Sequence, residues 1–193
     1  MKKIGITGGI GSGKTTVCRV FELLGVPVYY SDQESKNILA SDKSIRIKLL
    51  ENFSNNILDA DDLIDRKKLA SLVFNNKIAL EQLNSILHPA VGKHFEEWLK
   101  HQKSPYIIKE AAILFESGAY KQVDKVIAVI APLELRLARL LKRDQNSREE
   151  IQQRIEKQMS DEERIKRSDV VLVNDEQELL IPQVVKLHQS FLC

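Results

Sequence analysis

The stretch Lys3-Ile4-Gly5-Ile6-Thr7-Gly8-Gly9-Ile10-Gly11-Ser12-Gly13-Lys14-Thr15 decides the fold. Residues 3–7 read as a β-strand, and residues 14–24 as a helix closed by Gly25. Between them Gly8 to Thr15 fits the pattern G-x-x-x-x-G-K-[ST]. That pattern arises by chance in roughly one chain of this size per hundred, and its strand-then-helix setting lowers the odds further. Glycines allow successive backbone N–H groups to converge, and the missing side chains let a phosphate come close. The amino end of the following helix adds positive potential. Nucleotide contacts are expected from Gly8, Gly11, Ser12, Gly13, Lys14, Thr15 and Thr16, with Lys14 on the β and γ phosphates and the Thr15 hydroxyl in the Mg²⁺ shell. The competing reading is a glycine-rich turn with a chance Lys-Thr.

Working outward, residues 26–30, 106–108, 125–130 and 169–173 are short runs rich in Val, Ile and other β-formers. They do not alternate, which suits strands buried on both faces. The fold expected is α/β, a P-loop, doubly wound, parallel five-stranded sheet flanked by helices. Residues 34–103 show helical spacing and no convincing strand. Asp65 can cap a helix carrying Leu69, Leu72 and Val73. Ala79, Leu83, Ile86 and Leu87 form a stripe, and Pro89 is expected to start a new helix bearing Val91, Phe95, Trp98 and Leu99. Phe74, Phe95 and Trp98 read as core. Residues 143–166 are highly charged and poor in large apolar side chains, so they are expected to gain little by packing and to move as a lid. The division expected is a nucleotide-binding core of 1–33, 104–142 and 167–193, a helical acceptor-binding insert of 34–103, and a lid of 143–166.

Composition excludes several classes. The 193 residues are 43% hydrophobic, enough for a packed core. Lys plus Arg is 29 against 27 for Asp plus Glu, a net charge of +2 that argues against bulk nucleic acid or anionic lipid as partner. The longest apolar run, residues 126–133, contains Pro132 and falls far short of the ~18 residues that span a bilayer. Met1-Lys2-Lys3 begins like a signal peptide, but Thr7-Gly8-Gly9 interrupts the apolar stretch. Cys18 and Cys193 make neither a metal set nor a disulfide framework, and Cys18 reads as a small buried residue. A soluble cytoplasmic protein is expected, taken as a monomer, with no nucleic acid and no membrane partner.

The loop alone does not name a reaction. A GTP switch needs N-K-x-D, and Asn76-Lys77-Ile78-Ala79 lacks the Asp. The apolar-then-acid signature of ATPase motors is matched only loosely by Tyr106-Ile107-Ile108-Lys109-Glu110. A small-molecule kinase fits best, since it must enclose two substrates and exclude water. Asp32 follows the second strand, where open α/β sheets bind ligands, and either orients an acceptor hydroxyl or caps the helix after it. After Pro132, Leu133, Leu137, Leu140 and Leu141 share one helical arc, and Arg136, Arg139 and Arg143 another. The arginines either fork onto phosphate oxygens or form a solvated face. Arg148 and Arg154 extend the basic set. His88, beside Pro89, suits packing or capping better than catalysis. Kinases of nucleoside monophosphates, nucleosides or shikimate-like acids remain open, as does a non-catalytic nucleotide switch.

Taken together, these segments resemble the dephospho-CoA kinase family over nearly the whole chain. The resemblance rests on Ile6-Thr7-Gly8-Gly9-Ile10-Gly11-Ser12-Gly13-Lys14, Asp65-Arg66-Lys67-Lys68-Leu69-Ala70 with Val73-Phe74, and Leu87-His88-Pro89-Ala90-Val91. It continues through Ile113-Leu114-Phe115-Glu116-Ser117-Gly118, Arg139-Leu140 with Arg143-Asp144, Arg154-Ile155 with Gln158, and Ser168-Asp169 with Asn174. It implies transfer of the ATP γ-phosphate to the ribose 3′-hydroxyl of dephospho-CoA, with Mg²⁺. It also implies catalytic roles for Lys14, Asp32, Arg139 and Arg143, adenine near Asn174, and acceptor contacts from Asp32, Arg66, His88, Leu114 and Glu116. Asp32 matches the second acid of the family's D-A-D motif, whereas Tyr30 and Ser31 replace its first two residues. Lys36 stands where an arginine is usual, and Ala111-Ala112 replaces the residues before and at the family's proline.

Overall fold

Strand β1 (Lys2–Thr7) ends directly before Gly8, and helix α1 (Lys14–Leu23) starts at the loop lysine. The computed structural model describes residues 1–74, 76–144 and 147–192; Cys193 and the side chain of Phe74 lie outside the described residues, as do Gln145 and Asn146 of the expected lid. After α1 come β2 (Val28–Tyr30), α2 (Ser31–Ser41), α3 (Lys43–Phe53), α4 (Arg66–Phe74) and α5 (Lys77–Lys100). Then follow β3 (Tyr106–Glu110), β4 (Lys125–Ile130), α6 (Leu133–Arg143), α7 (Arg148–Glu156), α8 (Asp161–Lys166), β5 (Val170–Val173) and α9 (Leu180–Leu192). The chain divides into two units, one of residues 1–30 and the chain from Gln102 onward, the other Ser31–His101.

The first unit holds one five-stranded sheet of order β2-β3-β1-β4-β5, with every pairing parallel. Its strands lack alternation because both faces are covered. All five residues of β3 are buried, and so are four of the six in β1. Ile4, Ile6, Tyr106, Ile108, Ile127 and Val129 pack against Val17, Cys18 and Phe21 of α1 and Val184 and Phe191 of α9. β3 runs two residues beyond its apolar stretch, because pairing with β1 and β2 carries Lys109 and Glu110 into the sheet. β2 is shorter than the run 26–30 because Pro27 has no N–H for the ladder, although its carbonyl accepts from Ile108.

The second unit is helical. Ile38, Leu39, Ile45, Leu49, Phe53, Ile57, Leu69 and Val73 form its core. Asp42 caps α3 by accepting from Ser44 and Ile45, Asp65 accepts from the Lys67 and Lys68 amides at the start of α4, and Asn76 caps α5. One expectation fails here. Pro89 does not start a helix but lies inside the 24-residue α5. Proline removes one hydrogen bond, yet Leu83, Ile86 and Leu87 before it and Ala90 and Val91 after it pack on one core, and that continuous stripe holds the helix through the break. Phe95 is buried and stacks on half-buried Trp98 at 6.1 Å. Among the described residues no helix is long and apolar enough to cross a membrane.

Candidate active site

The loop between β1 and α1 has no side-chain cap; its N-cap residue is Gly13 at φ 98°, a left-handed conformation natural to glycine. An ideal Cβ on Gly13 would lie 2.1 Å from Nδ2 of Asn174. That amide donates to the Ser12 carbonyl at 2.8 Å. Arg139 Nη1 donates to the Gly11 carbonyl at 3.5 Å, and its Nη2 to the Asn174 backbone carbonyl at 3.2 Å, the Asn174 Oδ1 at 3.3 Å and Glu176 Oε1 at 3.0 Å. Lys14 Nζ folds back over the loop, donating to the carbonyls of Gly8 at 2.9 Å and Gly9 at 3.3 Å. Gln158 Oε1 accepts from the Ile10 amide at 2.8 Å. Thr15 and Thr16 are exposed in the first turn of α1. A cavity of about 490 Å³ opens beside the loop, walled by Gly13, Thr16, Arg139, Asn174, Leu180 and Pro182.

The arginines of α6 do not share one solvated face. Arg136 is buried together with Leu137 and Leu140, whereas Leu133 and Leu141 are exposed, so the two expected arcs are mixed. The cause is the loop itself, whose Ile10 carbonyl accepts from Arg136 Nε at 2.9 Å. Arg143 forks onto Asp144 at 2.7 and 3.0 Å, which raises its pKa and lowers that of Asp144. Arg148 forks onto Glu134 at 3.0 and 2.8 Å, and Arg154 lies 3.7 Å from Asp144. Arg143, Arg148 and Arg154 are thus already matched by carboxylates. Such exposed pairs are worth about 0–1 kcal/mol, so an incoming phosphate can replace the carboxylate at little cost. The charged stretch 143–166 also packs better than its composition suggests, since Ile151 joins Leu137 and Leu140 in a buried cluster and Arg164 is buried.

Glu110 is a residue that sequence reading passed over. It ends β3 in register with Ile6 on β1 and with Tyr30 on β2, so a buried carboxylate stands at the carboxyl edge of the sheet, beside the strand that feeds the loop. Its signal was the apolar-then-acid pattern, obscured by Lys109, whose ammonium turns away to Gln122 and lies over the Tyr29 ring. Burial raises the Cys18 thiol, with the charges of Glu110 and Glu22 adding to it, so the buried cysteine stays neutral. Burial likewise raises the Tyr30 phenol, which is hydrogen-bonded to Glu22.

Of the remaining expected residues, Leu114 is fully buried with Ala111, Phe115 and Val126, and Glu116 is exposed, its Oε1 accepting from the Met159 amide at 3.4 Å. Asp32, Arg66 and His88 belong to the helical unit. Asp32 and Arg66 are exposed in the first turns of α2 and α4, and His88 is half-buried in mid-α5, where burial lowers its imidazole pKa. Because α2 starts at Ser31, Asp32 sits within the first turn and not at the cap.

The family model for dephospho-CoA kinase matches residues 2–179. The chain belongs to the dephospho-CoA kinase family. Family members are ATP-dependent transferases that phosphorylate an alcohol group. The dephospho-CoA kinase of Bacteroides fragilis strain YCH46 is 46% identical over 186 residues, covering 96% of this chain and 90% of that protein. A crystal structure from Thermus thermophilus superposes with a TM-score of 0.89 at 32% identity, covering 100% of this chain and 98% of the other. The dephospho-CoA kinase of Campylobacter jejuni gives a TM-score of 0.70 at 32% identity, covering 98% and 97%. The family supplies the reaction that the loop alone leaves open.

Proposed function

We propose that this chain phosphorylates the ribose 3′-hydroxyl of dephospho-CoA from ATP, the last step of coenzyme A synthesis, as a cytoplasmic monomer. The observation that carries the reading is the loop 8–15, left-handed at Gly11 and Gly13 with the Lys14 ammonium lying across it, in a chain of this family. On nucleotide binding, Lys14 exchanges the carbonyls of Gly8 and Gly9 for β- and γ-phosphate oxygens. The adenine enters the cavity walled by Gly13, Asn174 and Pro182, with Arg139 as its polar wall. The hard-oxygen donors Thr15 and Glu110 suit Mg²⁺, which keeps most of its shell for water and phosphate, and the bound ion would neutralise charge on the β and γ oxygens.

The helical unit takes up the acceptor, with Arg66 and His88 as its candidate contacts; the further candidates Leu114 and Glu116 belong to the first unit. The Asp32 carboxylate accepts a hydrogen bond from the 3′-hydroxyl and orients its oxygen. As the bond from that oxygen to the γ-phosphorus forms, the bond from phosphorus to the β–γ bridging oxygen breaks. ADP leaves, and the hydroxyl proton passes to Asp32 and then to water. The transition state is loose, so positioning matters more than basicity. Residues 143–166 act as the lid, moored to the loop at its far end through Gln158 and Asp161, and Arg143 trades Asp144 for phosphate on closure. The test is to incubate purified protein with ATP, Mg²⁺ and a panel of dephospho-CoA, nucleoside monophosphates, nucleosides and shikimate. Coenzyme A is the expected product; its absence, or a faster reaction with another acceptor, overturns the assignment.

A further inference from the structure

Arg136 is 5% exposed, and its guanidinium joins two segments far apart in sequence. Nε donates to the Ile10 carbonyl at 2.9 Å, and Nη1 to Asp161 Oδ2 at 3.0 Å. Nη2 lies against Gly9, where an ideal Cβ would stand 2.3 Å from it. The other oxygen of Asp161 accepts from Arg164 Nη1 at 2.7 Å. Arg164 is 1% exposed, and its Nε and Nη2 have no partner. One carboxylate therefore serves two buried guanidinium groups. Meanwhile Gln158, three residues before Asp161, holds the Ile10 amide at 2.8 Å. Both polar groups of Ile10 are thus gripped from outside the loop, the carbonyl by α6 and the amide by the turn before α8.

We propose that Arg136, anchored by Asp161, is a positioning residue that sets the Gly9–Ile10 segment of the phosphate loop in its binding shape before nucleotide arrives. A loop rich in glycine has many conformations open to it, and only the one with converging amides binds phosphate. A ligand's apparent affinity falls by the fraction of molecules in the competent state, so the grip raises affinity for groups that use the loop and for no others. Arginine suits the task because one planar fork reaches a carbonyl and a carboxylate together, which a lysine ammonium cannot do at the same spacing. The inference rests on the nucleotide-binding part of the proposed function and not on the identity of the acceptor.

The test measures dissociation constants for ATP, ADP and adenosine by calorimetry, without acceptor, on the whole chain and on Arg136→Met, Arg136→Lys and Arg164→Met, with melting temperatures alongside. Arg136→Met leaves Asp161 paired one-to-one with Arg164, so the fold should survive. Its affinity for ATP and ADP is expected to fall about tenfold while adenosine stays within about twofold. Arg136→Lys should recover only a small part of the loss. Arg164→Met removes a buried cation that does not touch the loop, so it should lower the melting temperature with ATP affinity nearly unchanged. Unchanged ATP affinity in Arg136→Met overturns the proposal. So does a parallel loss of adenosine, or an equal ATP loss in Arg164→Met, since either would indicate general loosening. If Arg136→Met fails to fold, the Lys variant decides by the same three constants. Failure of the parent chain to bind ATP would instead sink the nucleotide reading.

Discussion

Asn174 and Gly13 compete for the same space. The side-chain amide that donates to the Ser12 carbonyl stands 2.1 Å from where a Gly13 Cβ would be. Gly25 is also left-handed, at φ 79°, but has nothing within 4 Å of its Cβ position. Gly25→Ala should therefore cost about 1–2 kcal/mol of conformational strain and leave nucleotide affinity alone. Gly13→Ala meets the same strain and must also push the Asn174 amide off the Ser12 carbonyl, so ATP affinity should fall. Melting curves and ATP titrations of the two variants separate strain from collision; equal loss of binding in both would refute the difference.

Lys14 and Asp32 should fail in different ways. Lys14→Ala removes the ammonium that lies across the loop and should lower turnover by about 10²-fold or more, because charge on the transferred group loses its partner. Asp32→Asn should bind ATP like the parent and lose about 10²–10⁴ in turnover, since the amide cannot take up the hydroxyl proton. Single-turnover rates and ATP dissociation constants check both. An Asp32→Asn variant that works at the parent rate would show Asp32 to be only a helix residue.

Pro89 interrupts the hydrogen-bond ladder of α5 at a solvent-exposed position. Pro89→Ala restores the N–H that can reach the Ser85 carbonyl, and should stabilise the fold by up to about 3 kcal/mol. A rise in melting temperature is expected; a fall would mean that the backbone is shaped around the proline.

Burial lowers the His88 imidazole below its ordinary value of 6.5. The unfolded chain then binds the proton more readily than the folded one, so stability falls as pH drops below 6.5 and is level above it. His88→Gln removes this contribution. The stability of the parent relative to the variant should decline from pH 7 towards pH 5, about the range in which an imidazole titrates. A difference that is flat across that range would contradict the burial of His88.

Where a segment's fate is decided by its own residues, the sequence is a sufficient guide. Lys125–Ile130 reads as a strand at its observed bounds because its apolar run is unbroken, and the loop 8–15 reads as a phosphate site because spacing alone dictates it. Where distant partners decide, the local signal misleads. Lys109 and Glu110 look like the end of a strand, yet pairing on both sides draws them into the sheet. Pro89 looks like a helix start, yet the core on either side carries the helix through. Arg136 has the spacing of a surface charge, and its burial is explained by the Ile10 carbonyl, 126 residues earlier, and by the Asp161 carboxylate, 25 residues later. Arg139 and Asn174 are expected near the nucleotide from the family resemblance, but their grip on Gly11 and Ser12 spans 128 and 162 residues and leaves no trace in any window.

The order of synthesis gives that long reach a temporal meaning. β1 is the middle strand of the sheet, yet a ribosome delivers it first, and its neighbours β3 and β4 follow about a hundred residues later. At roughly 5–20 residues per second, Asn174 emerges some 8–30 seconds after Thr15. The phosphate loop is therefore made before the strands and helices that give it its form. A chain cut short before Asn174 lacks the amide that holds the Ser12 carbonyl, so its loop is expected to bind nucleotide more weakly than that of the parent.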